Sequence, residues 1–322
     1  MIIWFYILIF IISCILLYFS GGWVVGGLMR ITRYLGLKEF VVAFFVMAFA
    51  ASLPNLLLGI FSALDGTPEL SFGDVSGNNL IVMTLAVALA ILFTKNKEIP
   101  AESQIIQATS IFTIIAAILP LILILDGKLS RIDGVLLIAL FIFYLSWLFS
   151  KKERFTRIYE RQEISVIKEF KILIKDLGKL ILGIFFVLAA AKGIVESAQF
   201  FAQGFNLPLI LIGVLITGLG NALPEIYFGI TSARKGEIRM ILGDLMGSVI
   251  ILSTLVLGIV ALISPIKIAD FSPFAIARFF LIFSSLFFLF FVRTGRKISK
   301  KEGFILILIY LTFIFFEIIN QY

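Results

Sequence analysis

The sequence predicts an all-α membrane protein, with ten transmembrane helices arranged as two inverted-topology repeats of five. Three observations carry that expectation. Of 322 residues, 61% are hydrophobic and 15% charged, with a mean hydropathy of +1.13, whereas a water-soluble domain is near half apolar and about a quarter charged. Ten apolar runs are each long enough to cross roughly 30 Å of hydrocarbon. Two polar segments bearing proline and glycine also recur at a constant offset of 170 residues, the signature of an internal duplication.

The runs lie near 2–26, 40–64, 74–94, 104–125, 132–150, 177–202, 207–232, 240–264, 273–293 and 303–319. The first has no basic leader and no small-residue cleavage pattern, so it reads as a spanning helix rather than a removed signal peptide. The only long polar interruption, 151–175, divides the chain into a first repeat (1–150) and a second (176–322). Its mixed charges and spaced apolar residues suggest an amphipathic linker helix at the membrane surface.

The net charge of +7 comes from short basic clusters between apolar runs, which membrane topology explains better than nucleic-acid binding does. One alternating set of connections carries Arg30/Arg33/Lys38, Lys95/Lys97, the 151–175 linker, Arg234/Lys235/Arg239 and Arg293 to Lys301. The opposite set is far less basic, so the first set is cytoplasmic and both termini face outward. There is no histidine, and the one cysteine, Cys14, lies in an apolar run. His/Cys metal sites, histidine-dependent catalysis and an internal disulfide framework are thereby excluded.

In the repeat, "AFAASLPNLLLGI" (48–60) aligns with "GLGNALPEIYFGI" (218–230), and "FGDVSGN" (72–78) with "LGDLMGS" (242–248). "DGKLSRIDG" and "TGRKISKKEG" match more loosely. Five spans per half is an odd number, so the second copy must sit upside down, as in transporters whose binding site lies at the midplane where broken helices meet. Duplication for packing alone is the competing reading. Pro54 and Pro224 each remove a backbone donor inside an apolar helix, and each precedes a polar residue, Asn55 or Glu225.

A carboxylate at membrane depth is a functional hypothesis by default; Glu225 is either that or a protonated acid hydrogen-bonded between helices. Asn55, Ser52, Asn78, Asn221, Ser248 and Glu225 together offer an oxygen-rich pocket suited to hard cations. The glycine pairs Gly73/Gly77 and Gly243/Gly247 form smooth stripes for close helix packing. Asp74 and Asp244 come early in their spans, where they either attract cations along the access paths or cap helix N-termini. Lys192 and Glu196 read as an i,i+4 ion pair.

These segments resemble the alpha repeats of the sodium/calcium exchanger superfamily, in which a "G-[ST]-S-x-P-E" stretch is followed by "G-N-x-x-G-S-N". Here they stand as "AASLPN" with "GDVSGNN" and "GNALPE" with "GDLMGSV"; the lead-in "YFSGGWVVGG" (18–27) is also similar, and the likeness covers essentially the whole chain. The resemblance implies a secondary antiporter, not an enzyme, that exchanges calcium or another cation for sodium or protons by alternating access in a plasma or inner membrane. It implies no catalytic residue and no cofactor; its partners are lipid and inorganic cations, and a monomer is compatible with it.

Carried over by position, the ion-lining set is Ala48, Ala51, Ser52, Asn55, Asn78 and Val82 with Gly218, Asn221, Ala222, Glu225, Ser248 and Leu252. Within that set Glu225 is the one carboxylate, which on charge balance favours a monovalent or proton-coupled site, while the family favours calcium. A non-transporting scaffold or sensor is the alternative that the missing acids at 55, 82 and 252 motivate.

Overall fold

The computed structural model describes residues 2–34, 48–94, 98–150, 166–205, 208–236, 238–268 and 270–319. Lys38, Lys95, Lys97 and linker residues 151–165 lie outside the described residues.

The described chain is mostly helical. It opens with α1 (Ile2–Tyr34) and α2 (Phe49–Leu64). A long third rod follows, α3 (Pro68–Ile81) running through a π-helical segment (Val82–Ala86) into α4 (Val87–Phe93). After a short strand β1 (Glu98–Pro100) come α5 (Gln104–Leu123), β2 (Lys128–Leu129) and α6 (Arg131–Ser150). The same grammar then repeats: α7 (Val166–Phe205), α8 (Leu209–Ile212), a π segment (Gly213–Thr217) and α9 (Gly218–Lys235). Next are α10 (Ile238–Ile250), a π segment (Ile251–Val256), α11 (Leu257–Ile263), β3 (Ile266–Lys267), α12 (Ala275–Arg293), β4 (Lys297–Ser299) and α13 (Lys300–Ile319).

Six of these helical rods are both long and apolar enough to cross a bilayer: 68–93, 104–126, 131–150, 209–234, 241–263 and 272–293, with shorter apolar helices at 3–16 and 51–64. The chain is a multi-pass membrane protein.

Two boundaries differ from the sequence reading. The third rod starts at Pro68 rather than 74, with proline at the first helical position, where its missing N–H is no loss. The segment "PELSFG" escapes a hydropathy criterion because Glu69 and Ser71 lower its mean, although Ser71 is fully buried in protein and Glu69 partly so. The second is that residues 166–175 form the opening turns of α7, with no break between them and the span that follows. Pro54 and Pro224 lie inside α2 and α9, and neither interrupts its helix.

Backbone details recur at the repeat offset. α2 is followed by Gly66 and α9 by Gly236, at φ 76° and 80°, a left-handed conformation that glycine adopts without steric penalty. The π segments at 82–86 and 251–256 each contain a threonine, Thr84 or Thr254, whose hydroxyl donates back to the carbonyl four residues earlier, Leu80 or Ile250. Such back-bonding competes with the regular ladder.

Within lipid there is no hydrophobic drive between helices, so close van der Waals packing of small residues holds the bundle. Gly73 and Gly77 on α3 lie directly against backbone of Ile210, Gly213 and Val214, so the first glycine stripe packs as expected. Gly59 abuts Val256 and Val260, while Gly229 abuts Ala86 and Ala90, the same contact made reciprocally by the two halves. Likewise Gly134 on α6 meets Gly258 on α11, and Gly303 on α13 meets Ala88 on α4.

The most enclosed rods are 68–93 and 241–263, buried over 83% and 78% of their apolar stretches against 28% for 131–150. Polar side chains on these rods therefore face protein. α1 and α7 pack on each other as a separate apolar layer, with Tyr6 stacked on Phe200 at 4.0 Å and Phe10 edge-on to Phe201, resting on α2 and the α8 end of the next rod. Lys192 and Glu196 form the i,i+4 pair on α7, at 4.0 Å and well exposed.

Two miniature sheets close the ends. β1 pairs antiparallel with β4 and β2 with β3, so each sheet joins one strand from each half of the chain. Lys297 bonds Glu98 across the first sheet at 2.8 Å, and that hydrogen bond, with the carboxylate's charge, holds the lysine above its ordinary pKa.

Candidate functional site

Four central elements, α2, α3, α9 and α10, carry the site. Proline-bearing α2 contributes Ser52 and Asn55, and its counterpart α9 contributes Asn221 and Glu225; α3 supplies Asp74 and Asn78, and α10 supplies Asp244 and Ser248. All eight side chains are buried. The first helical turn of α2 and the π segment before α9 set Ala48 and Gly218 beside them: the Ala48 carbonyl accepts from Ser52 Oγ at 2.7 Å, and Gly218 packs on the backbone of Gly77 and Asn78. Only glycine lets α9 come that close, because a Cβ there would stand 2.9 Å from the Asn78 nitrogen.

Asp74 is the hub. Asn55 Nδ2 donates to its Oδ2 at 3.1 Å and Asn221 Nδ2 to its Oδ1 at 2.8 Å. One carboxylate thus joins α2 and α9, the two proline helices of opposite halves, through α3. Beside it, Ser248 Oγ donates to Glu225 Oε1 at 2.9 Å, tying α10 to α9. A second cross-half bond, after that of Asn221 to Asp74, runs from Asn79 Nδ2 to Ser253 Oγ, 2.7 Å, linking α3 to the π segment after α10.

Two expectations are corrected here. Asp74 and Asp244 do not sit at mouths or cap helices: they are 0% and 1% exposed. α3 begins six residues before Asp74, which places the acid in the second turn and inside the bundle; Asp244 likewise lies in the second turn of α10. The second correction follows from the first. Glu225 is not the lone carboxylate of the centre, because Asp74 is bonded to two of the mapped residues and Asp244 is buried one turn along α10 from Ser248, which bonds Glu225. The charge argument for a monovalent site rested on that single acid and loses its premise.

The cluster has spare acceptor capacity. Asn55 Oδ1, Asn221 Oδ1, Glu225 Oε2, both oxygens of Asp244 and both amide atoms of Asn78 are buried without a hydrogen-bond partner. Such groups are rare in folded proteins and each calls for an explanation. Among the described residues no three acidic side chains converge closely enough to ligate a metal by themselves. Amide and hydroxyl oxygens must therefore complete any cation shell, as hard cations accept. Val82 and Leu252, where the alpha-repeat pattern would place further polar groups, are buried and apolar, and give the site no oxygen.

Sequence reasoning found the prolines, amides and hydroxyls and mapped Asn79 and Ser253 to no role. The mutual 174-residue spacing of that bonded pair is close to the repeat offset, but nothing in either residue's type marks it.

Comparison with known proteins agrees with this architecture. The family model described as "Sodium/calcium exchanger protein" matches residues 5–150 and 175–319. An uncharacterised membrane protein of Methanocaldococcus jannaschii is 30% identical over 244 residues, covering 74% of this chain and 76% of its own. The sodium/calcium exchanger MaX1 of Methanosarcina acetivorans is 25% identical, covering 95% and 97%. Among solved structures, the sodium-calcium exchanger NCX_Mj soaked with sodium and strontium superposes with a TM-score of 0.68 at 26% identity, covering 96% of this chain and 97% of that one.

Proposed function

Because the chain belongs to the sodium/calcium exchanger protein family, and so is a membrane transporter of the cation-antiporter type rather than an enzyme, we propose that it exchanges calcium for sodium or protons at one midplane site centred on Glu225 and Asn55. The observation that carries this reading is the buried cluster contributed by both halves, with several oxygen atoms lacking any partner. Ser52, Asn78, Asn221 and Ser248 supply further neutral oxygens, and the Ala48 and Gly218 positions bring backbone close to the same point. The relatives' names, and the strontium-soaked structure, support a divalent cargo.

The architecture proposed with it is ten spans in two inverted repeats, 1–150 and 176–322, with 151–175 between them. Reciprocal contacts support the inversion: Gly59 with Val260 mirrors Gly229 with Ala90, and the β1–β4 sheet mirrors the β2–β3 sheet. The two sheets fall in opposite sets of connections, as alternating spans require. The basic set, which contains β1 and β4, is cytoplasmic by the positive-inside rule, so both termini lie outside the cell membrane.

In the mechanism, competing cations occupy the same site in turn, and a ligand shifts access only through its different affinity for the two states. The separate α1–α7 layer, resting on α2 and α8, is the body that slides to open one side or the other. Reconstitution of the full chain into liposomes with radioactive calcium tests the reading. Uptake driven by an outward sodium or proton gradient is expected; no cation movement under either gradient contradicts it.

A further inference from the structure

The two aspartates occupy equivalent positions, 74 and 244, yet their surroundings differ. Asp74 has both oxygens occupied by amide donors, Asn55 and Asn221. Subtracting or adding the repeat offset shows what Asp244 meets in their place. Asn55 becomes Glu225, and Asn221 becomes Ala51. An acceptor and a methyl group thus replace two donors. The consequence is visible: Asp244, 1% exposed, has no hydrogen-bond partner at either oxygen, and one turn along α10 from it Ser248 holds Glu225. Glu225 keeps Oε2 unpartnered, its Oε1 being held by Ser248.

A buried anion without a compensating partner is strongly disfavoured, and two adjacent ones more so. Asp74 solves this problem with fixed protein dipoles. Asp244 and Glu225 have no such dipoles on three of their four oxygens, which leaves their compensation to protons or to a positive ion bound between them. An independent observation points to the same place: Asn221, whose nitrogen is spent on Asp74, leaves its Oδ1 buried and unpartnered one turn from Glu225.

We propose that Asp244 is a direct ligand of the transported cation together with Glu225, and that Asp74 is a fixed structural acid. The inference rests on the antiporter reading and deepens it by placing the site off the pseudo-twofold axis, in the second repeat. Two open carboxylates match the charge of a divalent cation, with Ser248 and the Asn221 amide oxygen available to extend the shell. Hard divalent ions of the calcium class prefer such all-oxygen sets, and affinity rises with the number of charged ligands.

The two mates give opposite expectations, which makes the test sharp. Full-length wild type, D244N and D74N are purified in detergent, and their melting temperatures are followed by intrinsic fluorescence with and without calcium chloride. Without calcium, D244N is expected to melt above wild type, since like-charge repulsion with Glu225 is removed, and D74N below it, since a single uncharged oxygen then remains for the Asn55 and Asn221 amide donors. In calcium titrations, D244N is expected to need at least about tenfold more calcium for half-saturation. D244N with wild-type calcium dependence overturns the proposal. A D244N chain that melts lower or fails to fold also overturns it, because Asp244 would then be a structural acid. Wild type that neither responds to calcium nor moves any cation in liposomes instead overturns the antiporter reading itself.

Discussion

Asn221 illustrates how much rests on a single amide in this bundle. Its nitrogen satisfies one oxygen of Asp74, and the other oxygen depends on Asn55. Truncating Asn221 to alanine leaves a buried carboxylate half-bonded, which costs about 2 kcal/mol or more. The expected outcome is a fall of several degrees in the melting temperature of N221A in detergent. An unchanged melting temperature would mean that Asp74 finds another donor. Residue by residue, the polar side chains beside Pro54 and Pro224 were legible because amides, a hydroxyl and an acid are conspicuous in apolar runs. The role of Asp74 and Asp244 was not. A hydropathy criterion started the third span at 74 and so set the acid at its mouth, whereas Gly66 in a left-handed turn and Pro68 at the first helical position start the helix earlier. Buried Ser71, Ser76 and Asn79 further lower the hydropathy of a rod that never meets lipid on that face.

The helical rods themselves show which sequence signals translate into packing. The Gly73/Gly77 stripe reads directly: four-residue spacing puts both on one face, and backbone of the α8 rod lies against them. A methyl group at Gly77 has no room without moving α3 from Val214, so G77A is expected to lose about 1–3 kcal/mol, read as a lower melting temperature and reduced exchange. The connections were harder to read. Ser130 with Asp133, and Ser299 with Glu302, form reciprocal capping boxes: each serine N–H and hydroxyl bonds the acid, and the acid's N–H bonds back. They sit within the loosely matching "DGKLSRIDG" and "TGRKISKKEG", and two- or three-residue strands next to them are too short to announce themselves in sequence. S130A and S299A are expected to destabilise the protein by similar amounts, about 1 kcal/mol each. A large inequality between their melting-temperature shifts would speak against equivalent roles in the two halves. The π segments carry no signal in the sequence, whose pattern points to broken helices at the prolines; the local widening lies elsewhere, around Thr84 and Thr254 and ahead of α9. A proline inside a membrane helix is accommodated without a break where neighbouring helices and polar side chains re-satisfy the freed backbone groups.

At the scale of the whole molecule, the constant 170-residue offset was the strongest signal in the chain, and it is visible in left-handed glycines, threonine back-bonds and mirrored glycine contacts. Inversion makes a topological prediction. With Cys14 replaced by serine, single cysteines at Lys128 and Lys267 should react with a membrane-impermeant thiol reagent in intact cells, and cysteines at Glu102 and Lys301 only after lysis. Labelling of all four from outside would contradict alternating sidedness. What duplication hid is the divergence at its centre, where Asp74 of the first half sits in an amide clamp drawn from both halves while the second half leaves two open acids. The most direct measurement of the central claim is cation exchange by E225Q beside wild type in proteoliposomes, with both chains shown to be folded by their melting curves. The account predicts loss of gradient-driven calcium uptake by at least about a hundredfold, since the neutral amide removes the charge that compensates a desolvated cation. Exchange at the wild-type rate in folded E225Q would contradict it.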